Sequence, residues 1–217
     1  MRKSLLFLLC FFLFVSSFSQ STKFGVFVDP QFTWYGTQSR TTDSDGMKFG
    51  VRGGLIVDKY FQEHYAISTG LSIGTQGGSL RYSEETTIRV YNEEDTLPAG
   101  TTVDYRLNYI TIPLGLKLKT NQIGYFSYFA RLGFTNQINI KAKGTSSDGS
   151  LDEDDIKKEI FFYNLAYHFG IGLEYAISED TAILFGINYH NGFIDITKSS
   201  DVKVHSRVLA IRLGVIF

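Results

Sequence analysis

The chain has 217 residues, 21 of them Lys or Arg and 22 Asp or Glu. Nothing in that near balance points to the basic face that nucleic-acid binding needs, so no nucleic-acid partner is expected. The length suits one large domain, and no Pro/Ser-rich run marks a linker to a second.

The opening stretch "MRKSLLFLLCFFLFVSSFSQS" places Arg2 and Lys3 before an apolar run from Leu5 to Val15, followed by small residues. This pattern predicts a secretory signal peptide over 1–19, cleaved after Ser19, with one domain over 20–217. The only cysteine, Cys10, lies inside the apolar run behind Leu8 and Leu9, where a lipoprotein signal wants a small residue, so lipidation is not expected. Without Cys10 the remaining chain can hold no disulfide, thiolate metal site or catalytic thiol. Loss of Arg2 and Lys3 leaves 19 basic residues against 22 acidic ones, a formal charge near −3. No later stretch contains about 18 consecutive apolar residues, so a membrane would have to be crossed by strands.

Period-two alternation then predicts eight strands in chain order. Weaker alternation covers 24–34, 48–58 and 65–76. "NYITIPLGLKLK" sets Ile110, Ile112, Leu114, Leu116 and Leu118 against Thr111, Pro113, Gly115 and Lys117. "YFSYFARLGFT" opposes Phe126, Tyr128, Ala130, Leu132 and Phe134 to Ser127, Phe129, Arg131, Gly133 and Thr135. "NLAYHFGIGLEYA" puts Leu165, Tyr167, Phe169, Ile171, Leu173 and Tyr175 on one face. Residues 182–190 and the final "RVLAIRLGVIF" complete the set. Each is about the nine to eleven residues that a tilted membrane-spanning strand needs. Short connections near "KYFQEHY", "KTNQ" and "SED" alternate with long ones, "GTQSRTTDSDG", "EETTIRVYNEEDTLPAGTTVD", "AKGTSSDGSLDEDDIKKE" and "DITKSSDVKV". The expected fold is therefore all-β: an eight-stranded antiparallel up-and-down transmembrane β-barrel, its last strand paired with its first, in the outer membrane of a Gram-negative bacterium with both termini periplasmic.

A soluble lipocalin-like barrel would turn the apolar face inward. The second face here is too rich in glycine for a wetted surface, with Gly54, Gly70, Gly74, Gly115, Gly133, Gly170 and Gly172 among others. Small residues interleaved with a few long ones suit a narrow interior. Tyr105, Tyr109, Tyr175 and Tyr189, near strand ends, are expected to form a membrane aromatic girdle.

"LNYITIPLGLKLKT" and "GIGLEYAISEDTAILFGINYHNGFIDIT", with the signal peptide and the terminal aromatic, resemble the PorT-like outer-membrane β-barrel family common in Bacteroidota. The resemblance covers the mature chain. It implies delivery by the outer-membrane assembly machinery, which reads a C-terminal aromatic, here Phe217. The family's namesake is linked to type IX secretion and gliding.

An eight-stranded barrel is just wide enough for its own side chains. Arg52, Arg131, Arg212, Asp29, Asp58, Glu174 and Lys117 are therefore expected to form an interior ion-pair network, because charges in such a core must be paired. His168 and His190 also point inward on neighbouring strands, as a hydrogen-bonded pair and not as a metal site, which would need a third ligand. The acidic run "DEDD" at 152–155 lacks the spacing of a calcium loop. A lipid-modifying enzyme would need a serine, a histidine and an acid at the rim. His205 beside Ser206 and His190 near Asp195 are recruits in principle, and no spacing singles out a nucleophile with its base. The reading is a non-enzymatic protein without cofactor, surrounded by outer-membrane lipid and acting as a structural or interaction module through its outer loops, with an extracellular or secretion-system protein as partner. A narrow porin-like channel or secretion component is the alternative, and a lipid-modifying enzyme the third.

Overall fold

Eight long strands bend into a ring whose last member returns to the first. The computed structural model describes residues 21–90, 94–198 and 203–217, so the predicted signal peptide and part of the last connection lie outside it. In chain order the strands are β1 (Thr22–Thr37), β2 (Thr42–Gln62), β3 (Tyr65–Tyr82), β4 (Thr86–Arg89), β5 (Glu94–Leu97), β6 (Thr102–Lys119), β7 (Phe126–Ser146), β8 (Asp154–Asp155), β9 (Tyr163–Ala176), β10 (Ala182–Gly192) and β11 (Val204–Ile216). The ring runs β1, β2, β3, β6, β7, β9, β10, β11 and back to β1, every neighbour antiparallel. At the seam Gly25 lies opposite Ile216, and Phe24 and Phe217 exchange backbone hydrogen bonds of 2.9 and 2.8 Å. Closure gives each of the eight ring strands two partners, which is what a sheet in hydrocarbon requires.

The alternation sorts side chains as expected. Val26, Leu55, Leu71, Leu114, Leu132, Phe169, Ile171, Phe185 and Leu213 lie exposed on the outer wall. A soluble protein could not carry so continuous an apolar surface, whereas lipid solvates it at no cost. Aromatic rings edge this belt: Tyr125, Phe126 and Tyr175 pack together near the termini, and Trp34 with Tyr189, and Tyr167 with Phe193, near the long loops. Tyr105 and Tyr109 do not join them. Both are buried inside, because they share the inward parity of Thr111 and Lys117 on β6.

The strands are longer than the membrane pattern alone implied, β2 and β7 reaching 21 residues each. They extend beyond the belt at the loop end, and there the interior changes character. Tyr35, Leu80, Tyr82, Val103, Tyr105, Leu107 and Ala142 from the walls pack with Ile88 and Leu97 of the β4–β5 hairpin and with Leu151, Ile156, Ile160 and Ile196 of the loops. Each fully buried aliphatic side chain contributes about 1.5–3 kcal/mol, so the loops fold down as a cap. The first connection, expected to be long, shrinks to 38–41, since most of "GTQSRTTDSDG" is strand. The second, third and fourth stay long. Turns at the termini end occupy only 63–64, 120–125 and 177–181.

Candidate functional site

The chemistry is concentrated in the lumen, and strand register builds it. Asp29 stands directly opposite Arg52, Ser68 opposite Asp58, Lys117 opposite Arg131, and His168 opposite His190. Residues paired this way lie about 4.5–5.5 Å apart at Cβ and share a face, so two strands suffice to bring charged partners together.

Nearest the termini, Lys117 is fully buried, its ammonium 2.6 Å from Asp58 and 2.5 Å from Glu174. Lys119 holds the second oxygen of Glu174 at 2.6 Å, and Arg131 Nη2 donates to Asp58 at 3.1 Å. The Ser68 hydroxyl donates to Asp58 Oδ1 at 2.6 Å. Phe129 lies between the two cations, 5.3 Å from the Lys117 ammonium and 4.9 Å from the Arg131 guanidinium. A Cβ on Gly172 would run into the Phe129 ring, which explains glycine there. A second cluster centres on Asp29. It accepts from Arg52 Nη2 at 2.7 Å and from Arg212 Nε and Nη2 at 2.9 and 2.8 Å. The Arg212 guanidinium lies 4.0 Å over the Phe27 ring. The two clusters together set five cations against three carboxylates, and each is one charge positive.

The histidines do not bond to one another. Thr135 stands between them, its hydroxyl 2.9 Å from His168 Nδ1 and 3.4 Å from His190 Nδ1. Arg52 Nη2 lies 3.1 Å from His190 Nε2. A guanidinium only donates, so Nε2 of His190 accepts and its proton sits on Nδ1, facing Thr135. The hydroxyl in turn donates to His168. Thr135 lay on the inward face of its strand in the sequence, but its bridging role depends on register, which alternation does not reveal. Next to these groups is a cavity of about 30 Å³ bounded by Arg52, Arg131, Arg212, His168, His190 and Asn188.

A wider cavity of about 480 Å³ opens at the termini end between Lys23, Tyr60, His64, Lys119, Glu174 and Asp180. It stops at the Lys119–Glu174 pair. The Lys23 ammonium donates to Asp180 at 2.8 Å and holds that carboxyl below its usual range. On the outer wall near the loops, a groove of about 180 Å³ is edged by Lys48, Asp104, Arg106, Lys143 and Glu153. There Asp104 loses some hydration to burial, yet hydrogen bonds from Lys48 and Ser79 keep its carboxyl below the usual range.

The rim residues do not assemble into a triad. His205 Nε2 is 3.8 Å from Asp195, but Ser206 faces the interior and donates to Gln76 at 3.3 Å. His190 is held in the lumen by Arg52 and Thr135 and does not serve Asp195. Of the "DEDD" run, Glu153 pairs with Lys143 and Arg106, and Asp154–Asp155 form β8 against Lys143 and Gly144. Among the described residues no group of three or more His, Cys, Asp or Glu is placed to hold a metal.

No curated protein sequence matches this chain. Solved structures of similar shape include Neisserial surface protein A, 12% identical over 89% of this chain and 95% of that one, with a TM-score of 0.46. OprG from Pseudomonas aeruginosa is 12% identical over 91% of this chain and 97% of its own, with a TM-score of 0.47. The outer membrane protease OmpT from Escherichia coli is 8% identical over 93% and 99%, with a TM-score of 0.43. The family model described as "Outer membrane protein beta-barrel domain" matches residues 13–198, most of the chain, and the protein therefore belongs to that outer-membrane family.

Proposed function

We propose that this protein is a closed, non-enzymatic barrel that serves as a structural or interaction module of the outer membrane, and that it is of the PorT-like type. The observation that carries the reading is that the interior above the termini-end cavity is blocked by two packed layers. The Lys117 and Asp29 clusters occupy the membrane section, and the packed core around Tyr105 and Leu97 occupies the loop end. A narrow ion path would need a continuous polar opening through both, and the central cavity has room for only roughly two or three waters. A rigid cap on a blocked barrel suits a surface that binds another protein. The short turns beside both termini support a periplasmic location for them, with the capped end outside, after removal of residues 1–19. Phe217, paired with Phe24 and exposed on the lipid face, supports its reading as the signal for the assembly machinery.

Planar-bilayer recording tests the blocked lumen. No unitary conductance is expected from the refolded protein, and steady single-channel steps would return the channel reading to first place. Protease treatment of intact cells tests the orientation: an epitope inserted at Gly149, on an exposed loop, should be cleaved, and one at the C-terminus should be protected.

A further inference from the structure

The two ion-pair clusters set five cations against three carboxylates, with Lys119 at the open termini-end cavity, and the three guanidiniums among them converge on one place. Arg52, Arg131 and Arg212 all border the cavity of about 30 Å³, together with His168 and His190, and no carboxylate does. Asp29 is already divided between two guanidiniums, and Asp58 accepts from Ser68, Lys117 and Arg131.

Arg131 is the least satisfied of the three. Only 3% of it is exposed, and Nη2 donates to Asp58. Its Nε and Nη1, both buried, have no acceptor among the described residues. Leaving N–H groups of a charged side chain without acceptors in such an interior is costly, and a net buried charge is costlier still. One small anion would satisfy both demands at once. Its size is bounded by the cavity of about 30 Å³, room for roughly two or three waters. A multi-carbon carboxylate is too large for that space, whereas a monatomic halide fits it.

We propose that the lumen holds a single buried halide, chloride under physiological conditions, beside the guanidiniums of Arg131, Arg52 and Arg212. Its role is structural. It offsets the excess cation charge and ties the Asp29 and Asp58 clusters into one layer. Because the cap and the Lys117 cluster close the lumen on either side, the ion exchanges slowly and is not a transported species.

The test is anomalous diffraction from crystals of the refolded full mature barrel exchanged into bromide, beside unfolding rates in chloride and in gluconate at equal ionic strength. The expected result is one anomalous peak inside the lumen next to the Arg131 guanidinium, with unfolding several-fold slower in chloride than in the larger gluconate. Arg131→Gln should abolish both the peak and the anion preference. If that variant does not fold, the wild-type peak and the anion preference decide alone. A lumen without anomalous signal, holding water only, overturns the proposal. So does a bromide peak with no difference between chloride and gluconate, which would mean binding at crystal concentration only.

Discussion

Replacing Asp58 by Asn should cost far more than replacing Lys117 by Met, although the two residues form the same ion pair. Lys117, Lys119 and Arg131 face Asp58 and Glu174, a net of one positive charge. Lys117→Met removes a fully buried ammonium and leaves two cations with two carboxylates. Glu174 keeps Lys119 at 2.6 Å, and Asp58 keeps Arg131 at 3.1 Å and Ser68 at 2.6 Å. The lost Coulomb energy is then largely offset by the desolvation no longer needed, and the net cost should be about 1–2 kcal/mol. Asp58→Asn instead raises the cluster to two positive charges and takes from Arg131 its only acceptor in the described structure. An uncompensated buried charge costs about 3–5 kcal/mol, and the substitution should fall in that range. Urea titration of barrels refolded into lipid vesicles gives both values, followed by the emission of Trp34, the only tryptophan, and by the gel-mobility shift on boiling. Equal losses for the two variants, or an Asp58→Asn loss below about 1 kcal/mol, would refute the charge accounting.

Gly172→Val should block barrel formation, since a Cβ there meets the Phe129 ring and the Gly186 backbone, and the variant should show no heat-modifiable band. Leu97→Asp, placing a carboxylate in the loop-end core, should leave the transmembrane section folded while loop-end cleavage by protease rises about tenfold or more, for an opening cost above 1.4 kcal/mol. Alkaline pH should loosen the same cap. Burial pushes the Tyr82 phenol up to about 12 and Tyr105 well above the usual value, and their hydroxyls share a hydrogen bond of 2.7 Å. A raised value in the folded state means that the protonated form stabilises it. That contribution is complete below pH 10 and fades between 10 and about 12, so protection from protease should hold at pH 9 and drop above 10. Thr135→Val should leave the fold intact but break the link between the histidines. The His168 and His190 ring signals in nitrogen NMR should then change together, and a change at one ring alone would argue against the bridge.

How far the sequence could be read depends on which physical constraint each feature obeys. A membrane imposes one rule on every strand, apolar side chains outward, and period-two alternation records that rule residue by residue. Hence strand existence, facing and the inward set of Arg52, Asp58, Lys117, Arg131, His168, Glu174, His190 and Arg212 were all legible. Parity could have corrected the girdle as well. Tyr105 and Tyr109 stand an even number of places from Lys117 and so had to face inward with it. Beyond the belt that rule lapses. The strands continue through Thr42 on β2 and to Ser146 on β7 in polar sequence that reads as loop, because their outer faces meet water and only their inner faces are buried. The apolar residues of the cap are scattered over the connections, with Ile88, Leu97, Leu151, Ile156 and Ile196 each isolated among polar neighbours, so no period announces them. Partner choice inside the lumen was illegible for a different reason. Which acid meets which base is fixed by the stagger between strands, and a two-residue slip preserves every side chain's facing while exchanging its neighbours. The pattern thus specified that the charges must pair, and the register decided that Asp29 would serve two arginines while Arg131 kept two donors unspent.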